Sequence, residues 1–173
     1  FARSGTTLKS YTATELGRFA VAELMQRTDL DGAAVDLLVY GAVLPSVVAP
    51  NIAREVALLP HFPKTLQAYT VDRACASANH AIGQAMDLLR SGRADAVLAG
   101  GADAALACGV LKAWGTLRVL APEPCRPFSA DRAGLTIGEA SAMFVLETEE
   151  HALARGAHII AELAGCGMTG DAS

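Results

Sequence analysis

Three mostly apolar runs constrain this chain most: "VDLLVYGAV" (35–43), "LQAYTV" (66–71) and "ADAVLAGG" (94–101). The first is a continuous run, as a strand covered on both faces requires, the other two are also expected as buried strands, and stretches of helical period lie between them. Ahead of the first, "TATELGRFAVAELMQR" places Glu15 three residues after Thr12, the spacing of a capping box. Leu16, Phe19, Ala20 and Leu24 then predict one apolar helical face. "NIAREVALL" (51–59) predicts a short helix stopped by Pro60, while Pro45 ends the first strand. After Cys75, the positions Ala78, Ala81, Ile82, Ala85, Met86 and Leu89 follow i, i+3, i+4, i+7, and Gly92 stands where that helix should stop.

"ACGVLKAW" predicts a further helix, followed by the proline-punctuated loop "APEPCRPFSADRAG". The rest reads as a strand in "ASAMFVLETEE", a short helix around "EHALARGA" and a last strand in "HIIAELAGCGM", the two strands pairing antiparallel. This alternation predicts an α/β domain with a mixed, mostly parallel sheet. No long linker or internal repeat divides residues 1–173, so one domain is expected.

Composition narrows the function classes. Of 173 residues 52% are hydrophobic and 18% charged, which suits a packed core rather than a disordered tail. The formal charge of −4, with Lys and Arg scattered, argues against a general nucleic-acid binder or an anionic membrane surface. The apolar runs fall short of a bilayer span and "FARSGTTLKS" carries no signal-peptide core, so a cytoplasmic location is expected. Reduced thiols are then expected at Cys75, Cys108, Cys125 and Cys166. No Cys-x-x-Cys pair occurs, and His61, His80, His151 and His158 lack ligand spacing, so no metal site is expected.

Cys75 is the residue that chemistry singles out. It lies where a strand turns into a helix, three residues after Asp72. A helix N-terminus favours the thiolate, the nucleophilic form, and its free N–H groups can hold an oxyanion. Small residues Ala74, Ala76, Ser77 and Ala78 leave room for a substrate. On this geometry alone, a packing cysteine remains the ordinary alternative.

"APNIAREVALLP", "YTVDRACASANHAI" and "GRADAVLAGGADA" resemble the N-terminal half of the thiolases. From Arg126 onward, "RPFSADRAGLTIGEASAMFVLETEEHALARGAHIIAELAGCGMTGDA" is similar to the β-ketoacyl-acyl-carrier-protein synthases, which share the thiolase fold. The resemblance implies a thiolase-like half-domain with helices on both sheet faces. It makes Cys75 the acyl-accepting nucleophile, with Arg73, Ala76 and Ser77 matching the Asn-Arg-x-Cys-Ala-Ser motif and Asp72 replacing its Asn. Only about two dozen residues separate Gly101 from "RPFS", leaving no room for the covering-loop domain of degradative thiolases. A condensing synthase is therefore favoured over a thiolase, and the retained Cys75 disfavours a non-catalytic partner subunit of the same fold.

The implied chemistry is covalent. Cys75 takes an acyl group from an acyl carrier protein or coenzyme A thioester, with no further cofactor, and a carbanion then attacks to give a β-ketoacyl product. The resemblance places the partner histidines in the C-terminal half of the fold. His80, about 140° around the helix from Cys75, is expected to point elsewhere. His61, His151 and His158 are poor substitutes, and Cys108, Cys125 and Cys166 are expected as small buried hydrophobes.

Four further expectations follow. Glu139 has a structural hydrogen-bonding role, Arg126, Asp131 and Arg132 form surface or loop ion pairs, Gly100 and Gly101 serve tight packing, and Trp114 is core or interface. The family's opening strand, taken as central to the sheet, is missing before "FARSG", which predicts a gap and two unpaired edges. The strand 66–71 implies a homodimer, formed by pairing with its symmetry mate.

Overall fold

The computed structural model describes residues 6–44, 46, 48–106 and 108–170. Pro45, the segment "FARSG" and the side chain of Cys108 lie outside the described residues, so the expectations attached to them do too.

Helix α1 spans Ala13–Thr28 and starts as its sequence predicts. The Glu15 N–H donates to the Thr12 hydroxyl at 3.3 Å, and the Thr12 N–H donates to the Glu15 carboxylate at 2.8 Å. Its buried stripe is Leu16, Gly17, Val21 and Met25. Phe19, expected inside, is 54% exposed and meets Tyr11 edge-on at 5.0 Å. The core instead takes the buried ring of Tyr40 against Gly17. A Cβ there would collide with the Tyr40 hydroxyl, which donates to Ala13 O at 3.1 Å.

Four strands follow among the described residues: β1 (Leu37–Gly41), β2 (Gln67–Val71), β3 (Ala96–Ala104) and β4 (Glu139–Glu147). They form one sheet in the order β2-β1-β3-β4, with β1 parallel to both β2 and β3, and β4 antiparallel to β3. The expected gap does not exist. Gly41 pairs with Val71 on one side and with Gly101 on the other, so no strand is missing between them.

Helix α1 and the short α2 (Ile52–Ala57) cover one face, and α3 (Ser77–Arg90) packs on β1 and β3 from the other. Side-chain alternation assigns Leu38, Tyr40 and Leu98 to the first core, and Val39, Val97 and Ala99 to the second, under Ala81 and Ala85 of α3. Helix α3 ends just before Gly92, whose φ of 66° is left-handed.

The strand 66–71 is not buried on both faces. β2 is an edge of the sheet and Gln67, Ala68 and Tyr69 are half-buried or exposed, because nothing covers its outer side among the described residues. Helix α4 (Cys108–Thr116) lies in the β3–β4 connection, where Trp114 is half-buried outside both core clusters.

The segment "HIIAELAGCGM" is not a strand, so the expected antiparallel pairing after α5 (Glu149–Ala154) is corrected. Strand β4 pairs antiparallel with β3 instead. The terminal segment follows α3: Arg90 Nη2 donates to Ala164 O at 2.8 Å, and a Cβ on Gly83 would lie 3.5 Å from Cys166 Sγ. Away from the sheet edge it has no ladder to join.

Candidate active site

β2 leaves the sheet at Val71 and reaches α3 through a five-residue turn, 72–76, tied by its own side chains and by Ser77. Asp72 Oδ1 accepts the Ala74 N–H at 2.8 Å, a short carboxylate turn. Ser77 Oγ accepts the Arg73 N–H at 2.8 Å and donates to Ala74 O at 2.6 Å. These bonds hold Ala74 at φ 48°, a left-handed conformation that costs a residue with a Cβ roughly 1 kcal/mol. Cys75 follows at once, one residue before the N-cap Ala76, and is exposed. Strain, tether and reachable thiol coincide, as at a nucleophile elbow.

The amides near the thiol are less free than the sequence suggests. Ala76 N–H donates to Arg73 O at 3.1 Å and Ser77 N–H to Ala74 O at 3.0 Å, so the tight turn uses two of the helix's four orphan donors. No side chain caps the rest at Ala76. Asp72 does what the family's Asn would do here, since either accepts an N–H, but it adds a negative charge.

Main chain sets the depth of the turn. A Cβ on Gly41 would collide with the Ala78 nitrogen, and one on Gly101 would strike Gly41 O and crowd the Ala78 Cβ, so the start of α3 rests on β1 and, through Ala78, on β3. A Cβ on Gly100 would strike Ala142 O of β4. Tight strand packing thus accounts for both glycines. The turn emerges at the C-terminal ends of three parallel strands, the usual place for a site in an open α/β sheet.

Asp103, near the end of β3, joins this edge. It accepts Val43 N–H at 3.2 Å and Leu44 N–H at 3.3 Å. Burial lifts its carboxyl above the ordinary range, the two amides pull it back, and the negative Asp72 adds to the rise. Burial and then the Asp103 charge push the Tyr40 phenol upward as well. Sequence reasoning passed over Asp103 and the tether role of Ser77. For Ser77 the available signal was a serine five residues after an aspartate; Asp103, whose partners lie some sixty residues away, gave none.

The other candidates disperse. His80 is half-buried, and its Nε2 takes a hydrogen bond from the Gln84 amide at 3.1 Å, one turn farther from Cys75. Tyr69 donates to Gln84 Oε1 at 3.0 Å, on the rim of a groove of ≈ 440 Å³ also lined by Asp87, Leu88, Ser91 and Arg93. That groove lies beside the far half of α3 and includes no residue of the Cys75 turn. His151 pairs with Glu147 at 2.8 Å, in the ion cluster of the β4–α5 corner. Among the described residues, no side chain hydrogen-bonds the Cys75 thiol.

Cys125 is half-buried and Cys166 exposed, so neither is the buried hydrophobe expected: one sits in an open loop and the other on the terminal segment. Arg126 and Asp131 form the expected loop ion pair at 2.8 Å, both largely exposed. Glu139, expected to hydrogen-bond, makes no side-chain hydrogen bond among the described residues. It begins β4 opposite Ala104, held there by the ladder alone.

Comparison with known proteins matches residues 5–152 to the family described as "Beta-ketoacyl synthase, N-terminal domain". Nodulation protein E of Rhizobium leguminosarum bv. trifolii is 61% identical over 104 residues, 60% of this chain and 26% of that protein. A 3-ketoacyl-CoA thiolase of Aeromonas salmonicida (strain A449) is 40% identical over 114 residues, 65% of this chain and 26% of the thiolase. A solved type II PKS acyl-carrier protein in complex with its ketosynthase superposes with a TM-score of 0.75 at 25% identity, covering 91% of this chain and 48% of the matched one. The chain thus spans between a quarter and a half of the length of these relatives. An elbow cysteine on a mixed α/β sheet and a match across most of the sequence agree: the chain belongs to the β-ketoacyl synthase N-terminal domain family, within the thiolase-like superfamily.

Proposed function

We propose that the protein carrying this chain is a condensing acyltransferase of the β-ketoacyl synthase type, with Cys75 as its acyl-accepting nucleophile. The observation that carries this reading is the exposed thiol on a left-handed, side-chain-tied turn at the start of α3. The thiolate attacks the carbonyl of an acyl thioester, and the tetrahedral oxyanion collapses to release the donor thiolate, leaving acyl-Cys75. A second thioester, made carbanionic by loss of carbon dioxide or of a proton, displaces Cys75 and yields the β-ketoacyl thioester. The proton-handling partners belong to the part of the fold this chain does not span. An acyl carrier protein is the favoured donor. The ketosynthase neighbour solved with one supports that choice. The open edge of β2 supports a homodimer through residues 66–71.

The test is intact-protein mass spectrometry of the full-length protein after incubation with an acyl-coenzyme A or an acyl-carrier-protein thioester. A stable acyl adduct mapped to Cys75, and lost in Cys75→Ser, is the expected result. Strong preference for the coenzyme A donor would favour the thiolase reading, to which the 40% identical thiolase gives some weight. No adduct from either donor would overturn the catalytic reading and leave a partner subunit.

A further inference from the structure

We propose that Asp103 is a positioning residue of the acyl-transfer site, fixing the backbone that leaves β1 against the nucleophile turn. The assignment rests on the acyl-transfer reading of Cys75 and adds a specificity element to it.

Residues 42–44, just after β1, lie in no helix or strand, yet they are pinned twice. Ala42 N–H donates to Val71 O at 3.2 Å, immediately before Asp72. Val43 and Leu44 N–H then donate to the Asp103 carboxylate, contributed by a strand some sixty positions farther along the sequence. The Asp103 carboxylate therefore ties the exits of β1 and β3 together beside the exit of β2, from which the Cys75 turn springs. Asp72 lies close enough for its charge to act on Asp103. Glycines fill the layer beneath, with Gly41 and Gly101 against the first residues of α3. On this proposal the half-buried Val43 and Leu44 supply an apolar edge beside the thiol, its position set by one carboxylate through their own N–H groups. Such an edge bears on the acyl chain beyond the thioester and leaves the reacting atoms untouched, so its loss shows in substrate binding more than in the chemical step.

The test compares Asp103→Ala and Asp103→Asn in the full-length protein. Asn retains an acceptor for the two N–H groups; Ala leaves both without one. For acylation of Cys75, Asp103→Ala should raise KM for a long-chain donor by ~10- to 100-fold with kcat nearly unchanged, and Asp103→Asn should recover most of that loss. Alkylation of Cys75 by iodoacetamide and by an iodoacetamide bearing a long alkyl chain provides a substrate-free readout. The ratio of the two rates should change at least several-fold in Asp103→Ala and return in Asp103→Asn. Hydrogen exchange should lose protection at Val43 and Leu44 in Asp103→Ala alone. An unchanged alkylation ratio, or equal losses in KM and kcat without rescue by Asn, overturns the proposal. Absence of acylation in the unsubstituted protein would overturn the reading of function, while exchange and alkylation still decide the role of Asp103.

Discussion

The Ser77 hydroxyl stands between two main-chain groups on either side of a strained residue: it accepts from Arg73 N–H at 2.8 Å and donates to Ala74 O at 2.6 Å. Ser77 is 2% exposed, so water cannot replace it. Replacing Ser77 with Ala leaves a partly buried N–H without its acceptor and should cost about 1–3 kcal/mol. Thermal unfolding checks the stability loss. Alkylation of Cys75 should also slow or lose its single rate as Ala74 relaxes from φ 48°.

Gly41 and Gly109 form a matched pair for testing the main-chain seat of α3. At Gly41 a methyl group would collide with Ala78, whereas at Gly109 in α4 nothing lies within 4 Å. Gly41→Ala should destabilise by ~3 kcal/mol or more and impair acylation, since the helix start must move. Gly109→Ala should be neutral, or stabilising by up to about 1 kcal/mol, with acylation unchanged. Urea unfolding of the two variants distinguishes them. Equal stability for both would mean the helix does not rest on β1.

At the β4–α5 corner, Arg155 clasps Glu147 through Nε and Nη2, both at 2.7 Å, and donates from Nη1 to Thr28 O at 3.0 Å. Burial of Glu147 opposes its charge, but hydrogen bonds from Arg155 and His151 outweigh it and hold the carboxyl below its ordinary 4.5. The folded-state value is therefore depressed. Its contribution is fully present above pH 4.5 and fades as pH falls through the folded value. Glu147→Gln should cost ~3 kcal/mol near neutrality, because it leaves the Arg155 charge half-sealed without its partner. That difference should shrink progressively in unfolding measurements carried below pH 4.5.

Thr12 closes a complete capping box, so Thr12→Ala should cost about 1 kcal/mol. Circular dichroism melts resolve that loss, and Cys75 alkylation should stay unchanged because α1 lies on the opposite face of the sheet.

Local signals were legible in the sequence, and long-range ones were not. The Thr12 box, the stop at Gly92 and the seat of Cys75 are encoded within a few residues, and all stand where the sequence puts them. Strand order is a different quantity. That β1 sits directly between β2 and β3 depends on pairings between residues thirty to sixty apart, which no local pattern records. Phe19 misled because a helix shows three neighbouring stripes and only tertiary contact chooses among them. Here the chosen one passes through Gly17, where the Tyr40 ring needs space. The terminal segment misled for a related reason: an apolar run of the right length is a strand only beside another strand. Asp103 was invisible because its two amide partners lie some sixty residues upstream.

Since α3 starts main chain against main chain on Gly41, and meets Gly101 only through the Ala78 Cβ, the height of the sulfur above the sheet is set chiefly by the polypeptide. Side chains around the turn can therefore vary while the Cys75 sulfur keeps its place above the sheet. A scaffold arranged this way lends itself to retargeting, provided those two glycines are left alone.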